Sequence, residues 1–233
     1  DVERSRGLGD VYKRQALHEA GHATLSWFLE HANPLIKVTI VPRGRALGAA
    51  WYLPEERQIT TKEQMLDEMC ATLGGRAAEE LFTGHISTGA MNDLERVTKQ
   101  SYGMIAYAGM SEKLPNLCYY SNDEYSFSKP YSERTAELID EEVKRMINEQ
   151  YDRAKAILSE HKDGHNELAR LLVEKEVIFA EDVERIFGKR PWTSRSEEIM
   201  ALEATVKPVE VTEDFEEKKS SDSEEKEKEK KEA

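Results

Sequence analysis

Five consecutive residues, His18-Glu19-Ala20-Gly21-His22, carry the clearest chemical potential in this chain. An H-E-x-x-H run on a helix sets two imidazoles four residues apart, on one face and one turn from each other, where both reach one zinc ion. Glu19, a step round the same turn, is placed to act as general base on water at that ion. A pentapeptide also arises by chance on surface helices, so its surroundings decide its meaning.

A catalytic zinc takes three protein ligands and keeps one position open. Leu25 and Phe28 stand where a metzincin would carry Gly and His, three and six residues past His22, which excludes that class. Among the remaining histidines, His31 lies too near along the same helix and reads as a surface cap, and His85 is a weak candidate. His161 and His165 repeat the four-residue spacing, but no Glu follows His161 and Gly164 interrupts the turn, so a polar loop between helices is expected there. The carboxylates that matter are Glu79, Glu80 and Asp93, whereas Asn148-Glu149-x-x-Asp152 falls inside a helix with a structural pattern. Residue chemistry alone leaves Asp93 and the Glu79/Glu80 pair level.

The elements that must position these groups are mostly helical. Residues 16–30 carry Leu17, Gly21, Leu25 and Phe28 along one stripe, with Ala20, Gly21 and Ala23 small enough to admit a neighbouring backbone, and Asn33-Pro34 ends the segment. Alternation over 36–41 and the run 49–53, joined by a Pro/Gly/Arg connection, predict a small β-hairpin whose free edge could take an extended peptide. A helix is predicted over 61–82, where Gly74-Gly75 in mid-helix signals close packing against the first helix. A further helix over 88–108 carries Asp93, a tyrosine-rich loop covers 109–130, and a long amphipathic helix spans 132–160, followed by two short ones around 168–173 and 180–187. The expected organisation is a linker or truncation edge over 1–15, a mainly α domain over 16–190, and a charged, disordered tail over 191–233.

Composition narrows the function classes. The 233 residues carry a formal charge of −13, which argues against a general nucleic-acid binder, since such a protein shows a basic face. The two cysteines, Cys70 and Cys118, are far apart and lack metal-binding spacing, so free thiols are expected. No run approaches the roughly 18 apolar residues that span a bilayer, and a chain that opens on Asp1 is expected to be a truncation.

Taken together, HEAGHA at 18–23, KVTIVPRGRALG at 37–48, LGGRAAEELF at 73–82, STGAMNDLERVT at 87–98 and GMSEKL at 109–114 resemble the FtsH family of membrane-anchored, ATP-dependent zinc metalloproteases. The resemblance implies a helical zincin-type protease domain with a small β-hairpin or sheet, one zinc per chain held by His18, His22 and Asp93, and Glu19 as catalytic base. It carries Glu79 as a carboxylate orienting a ligand histidine, a role Glu80 could fill equally well. It further implies a homo-hexamer fed with unfolded polypeptide by an AAA+ ATPase module, on the cytoplasmic face of a bacterial inner membrane or in an organellar membrane. The chain has no Gly-x-x-x-x-Gly-Lys-Thr and no membrane helix, so ATP and magnesium would belong to the absent AAA+ part. The competing expectation is a catalytically inactive helical interaction or adaptor domain, which predicts damaged ligands. Here His18, Glu19, His22 and Asp93 are all intact.

Overall fold

The computed structural model describes residues 2–42, 48–53, 59–119 and 130–193, with side chains from Gly9 onward. The fold is built round helix α1 (Val2–Phe28). Helix α2 (Lys62–Thr83) lies along it, α3 (Met91–Tyr102) and the long α4 (Glu133–Glu160) pack on α2, and α5 (Lys162–Lys175) returns to α1. A short α6 (Ala180–Phe187) closes the order.

Local signals account for most of the boundaries. Thr61 caps α2 with a reciprocal pair: its Oγ1 accepts from Gln64 N at 3.3 Å, and Gln64 Oε1 accepts from Thr61 N at 2.9 Å. Gly84, at φ 69°, ends the same helix in the left-handed region that favours glycine. Ser132 caps α4 by accepting from Thr135 N.

Three strands, β1 (Leu35–Thr39), β2 (Ala49–Tyr52) and β3 (Val177–Phe179), form an antiparallel sheet in the order β2-β1-β3. Val38 faces Ala50 on one side and Ile178 on the other. One face of the sheet is dry: Val38, Ile40 and Ile178 pack with Ala16, Ala20, Ala23 and Trp27 of α1 and Leu168 and Leu172 of α5. Two further clusters, centred on Met69, Leu73, Met104, Ile139 and Met146 and on Leu25, Ala77, Ala78, Ala154 and Leu158, glue α2 to α3 and α4 and to the far end of α1. Beyond α6 the chain straps back over the end of α1, where Arg190 donates to the carbonyls of Leu29 and Ala32 and Trp192 donates to Phe28 O at 2.9 Å.

The structure departs from the sequence expectations in four places. The stretch expected as a linker over 1–15 is helical from Val2, and Gly9 costs propensity without a clash, since a β-carbon there would meet nothing. The loop expected round His161–His165 is the start of α5: Gly164 sits inside the helix because the Phe187 ring occupies the space of its missing side chain, 2.2 Å from where a β-carbon would be. β3 was not expected, because three residues show no usable alternation. The single helix predicted over 88–108 is a 3-10 turn (Thr88–Ala90), α3 and a π turn (Gly103–Tyr107) in succession. The Arg43–Leu47 connection, residues 120–129 and the tail from 194 lie outside the described residues. Among the described residues, no helix is long and apolar enough to cross a membrane.

Candidate metal centre

The site begins where α1 and α2 touch backbone to backbone. A β-carbon on Gly21 would come 2.4 Å from Gly74 O, and one on Gly74 would come 2.8 Å from Gly21 O, so only glycine at both positions permits this approach. One residue further on, the place of the missing Gly75 side chain is filled by the His18 ring, whose Nε2 lies 2.3 Å from an ideal β-carbon position. The small residues read from the sequence thus bring α2 close enough to embed the imidazole.

Both histidines are then locked from behind. His22 Nδ1 lies 3.0 Å from Ala71 O, and a carbonyl only accepts, so the proton sits on Nδ1. His18 Nδ1 lies 2.9 Å from Glu79 Oε1 on a carboxylate that is 1% exposed, which assigns the same tautomer. Both Nε2 lone pairs therefore face forward, 3.1 Å apart. Asp93, in the first turn of α3, brings Oδ2 to 3.3 Å from His18 Nε2 and 3.5 Å from His22 Nε2.

With the ring protons on Nδ1, three lone-pair atoms face one another, an arrangement suited to a cation. A tetrahedral zinc with bonds of about 2.0–2.1 Å separates its ligand atoms by about 3.3–3.4 Å, so the residues present fit that ion. His18, His22 and Asp93 make up such a group among the described residues, with all three donor atoms inside 4.8 Å. The same geometry attracts protons. Burial alone pulls His18 down, yet hydrogen bonds to Asp93 and Glu79 outweigh it and hold the imidazole up at about 9. His22 is likewise raised against its burial by Asp93. Burial acts upward on Asp93, but the bonds from His18 and His22 keep its carboxyl well below the usual range.

Residues 10–186 match the family model of peptidase family M41. The chain belongs to that family. It is 73% identical over 190 residues to an ATP-dependent zinc metalloprotease FtsH of Parabacteroides distasonis, covering 81% of this chain and 28% of that protein. It is 52% identical over 195 residues to the mitochondrial ATP-dependent zinc metalloprotease FTSH 3 of Arabidopsis thaliana, covering 82% and 24%. With the mouse mitochondrial inner membrane m-AAA protease component AFG3L2 it shares 48% over 186 residues, covering 79% and 23%. The chain therefore spans about a quarter of the length of these relatives.

In this M41 domain Glu19 stands beside the metal group, 5% exposed, with burial pushing its carboxyl up while His22 and His18 pull the other way. Its Oε1 accepts from Gln15 Nε2 at 2.7 Å, and a β-carbon on Gly48 would lie 2.6 Å from the same oxygen. The centre opens into a cleft of about 540 Å³ whose lining includes Ala49, Ala50 and Tyr52 of β2 and Met91, Asn92 and Arg96 of α3. Of the two glutamates that the sequence left equivalent, Glu79 faces His18, whereas Glu80 is exposed and accepts from the Tyr151 hydroxyl on α4.

The other candidates lie elsewhere. His85 is exposed, His31 is engaged through its backbone N–H by Asp67, and Glu149 and Asp152 pair with Arg145 and Lys155 on the surface of α4. His161 stacks on Phe28, and the fully buried His165 lies 3.1 Å from Leu17 O. Sequence reasoning did not find Gln15 as the partner of Glu19 or Ser87 as a partner of Glu79. The first was open to discovery, because Gln15 and Glu19 are four residues apart on a helix; the second depends on a turn with no spacing signal.

Proposed function

We propose that the chain is the peptide-hydrolysing part of an ATP-dependent zinc endopeptidase, with His18, His22 and Asp93 as zinc ligands and Glu19 as catalytic base. The observation that carries this reading is the convergence of three donor atoms beside one buried carboxylate in the lining of one cleft. Zinc, when bound, supplies Lewis acidity toward the scissile carbonyl and the attacking water. Glu19 takes the proton from that water and later gives it to the leaving amine nitrogen, a transfer helped by the upward push of burial on its carboxyl. Gln15 holds one oxygen of that carboxylate, and Glu79 keeps the His18 proton on Nδ1. β2 stands at one end of the order β2-β1-β3, and its Ala49, Ala50 and Tyr52 line the cleft, where a substrate backbone can join as a further strand. No covalent intermediate is needed: Cys70 is buried among apolar side chains, and Cys118 lies outside the cleft lining.

The ATP-dependent and m-AAA character in the names of the relatives, and the short share of their length that this chain spans, support a wider assembly. In this reading the AAA+ module that binds ATP and magnesium and the membrane anchor belong to the rest of the protein. The domain works as a homo-hexamer on unfolded polypeptides, at the cytoplasmic face of a bacterial inner membrane or, alternatively, in an organelle.

Comparing wild type with Glu19→Gln for zinc content and for chelator-sensitive cleavage of an unfolded protein tests the reading. Equal zinc with cleavage lost in the variant supports it. Cleavage that survives the substitution sinks the role of Glu19, and a wild type that takes up no zinc points instead to an inactive interaction domain.

A further inference from the structure

We propose that Ser87 is a positioning residue of the metal centre, acting through Glu79 to hold His18 in one arrangement. The inference rests on the zinc-site reading above and adds a residue to it.

Glu79 is the hinge of the matter. Its Oε1 accepts from two sides, from His18 Nδ1 at 2.9 Å and from the Ser87 hydroxyl at 3.0 Å, while its Oε2 accepts from the Ser87 backbone N–H at 2.7 Å. Three donors on two oxygens fix both the plane and the rotamer of a carboxylate that is 1% exposed. Without the hydroxyl, Oε1 keeps only the imidazole, and the carboxylate can rotate about its remaining backbone bond. The His18 ring then loses the fixed partner that holds its proton on Nδ1 and its lone pair forward.

Ser87 also sits where the chain turns toward the third ligand. Its backbone is extended, φ −127° and ψ 172°, and its oxygen accepts from Gly89 N at 3.1 Å, capping the 3-10 turn Thr88–Ala90. That turn runs straight into α3, whose first turn carries Asp93. Gly89 keeps the loop tight, because a β-carbon there would lie 3.2 Å from Ser87 Oγ and 3.5 Å from Glu79 Oε1. One hydroxyl therefore donates to the group that aims His18 and accepts from the turn that delivers Asp93. The two arms of the site, 75 positions apart in sequence (93 minus 18), meet at this oxygen.

The test is the zinc dissociation constant of the full chain, measured by competition with a chromophoric chelator. It is run on wild type, Ser87→Ala, Ser87→Thr, Glu79→Gln and the Glu79→Gln/Ser87→Ala double variant. Removing an outer partner of a metal ligand weakens binding by about 10- to 100-fold, and the surviving backbone bond places Ser87→Ala near the lower end, about tenfold. Ser87→Thr, which keeps the hydroxyl, is expected within about threefold of wild type. If Ser87 acts through Glu79, adding Ser87→Ala to Glu79→Gln costs less than about threefold more, whereas a merely structural loop effect would add in full. Should Ser87→Ala fail to fold, the near-isosteric pair Ser87→Val and Ser87→Thr carries the same comparison. Wild-type affinity in Ser87→Ala, or an undiminished loss in the Glu79→Gln background, overturns the inference and leaves the metal reading intact. A wild type that binds no zinc overturns the metal reading, and the inference falls with it.

Discussion

Gly75 and His18 share one space: the imidazole Nε2 lies 2.3 Å from where a β-carbon on Gly75 would be. Helix α2 therefore carries glycine at this point for the sake of a side chain on α1, against a helix-propensity preference for alanine of about 1 kcal/mol.

The Gly75→Ala variant is expected to lose zinc affinity by at least tenfold, on the order of what a misplaced ligand costs. Away from the ring, alanine suits the helix better, so the zinc-free protein should melt close to wild type. Chelator competition and thermal unfolding of the zinc-free form, read together, check this. Undiminished zinc binding would mean that the ring has another place to go.

Gln15 donates to Glu19 Oε1 over 2.7 Å, one helical turn before the carboxylate it holds. Gln15→Leu removes that donor without touching His18, His22 or Asp93. Zinc content and KM are expected to stay at the wild-type level while kcat falls by about 10-fold, roughly the 1.4 kcal/mol that one hydrogen bond to a charged group contributes. Steady-state kinetics on a fluorogenic peptide separates the two constants. A fall in zinc content would show instead that Gln15 supports the ligands.

Much of this architecture was legible because it is written in local patterns. The H-E-x-x-H spacing, the Gly74-Gly75 pair and the apolar stripe of α4 each act within a few turns, and the structure places each where its period predicts. What was hidden is set by partners far away in sequence. Gly164 reads as a helix breaker until Phe187 fills its side-chain space, and Val177–Phe179 becomes a strand only because β1 pairs with it. Asp93, Glu79 and Glu80 could not be ranked by residue type, since their directions depend on how the turn after Gly84 leads into α3. Resemblance to FtsH proteins favoured Asp93, and the geometry brings it beside the two histidines while turning Glu80 toward Tyr151.

His165 provides a pH dependence away from the metal. It is fully buried, stacked on Phe82, and pushed down to about 4, chiefly by that burial. The folded protein keeps this imidazole neutral, whereas the unfolded chain protonates it below its ordinary value near 6.5. Stability from this group is complete above pH 6.5, is lost progressively as the pH falls toward 4, and is flat below that. The loss over the window amounts to about 3 kcal/mol. In the His165→Gln variant this component should vanish, so urea unfolding of the two proteins between pH 7 and pH 4 should converge toward acid. Parallel curves would place the acid sensitivity in the carboxylates instead.

The three acidic side chains near the site make separable predictions. Asp93 brings its oxygen within 3.5 Å of both Nε2 atoms, so Asp93→Ala removes a donor outright and should lower zinc affinity by more than 100-fold, on the order of losing one of three ligands. Glu79 reaches the three donor residues only through the far nitrogen of His18, and Glu79→Gln should fall in the range of about 10- to 100-fold that orienting partners command. Glu80 points to Tyr151, so Glu80→Gln should leave zinc binding unchanged and cost only a surface hydrogen bond, about 1 kcal/mol or less. Dissociation constants for the three variants, set beside their zinc-free melting temperatures, order the carboxylates. Stoichiometric zinc at wild-type affinity in Asp93→Ala would remove Asp93 from the centre and hand the third position to another group.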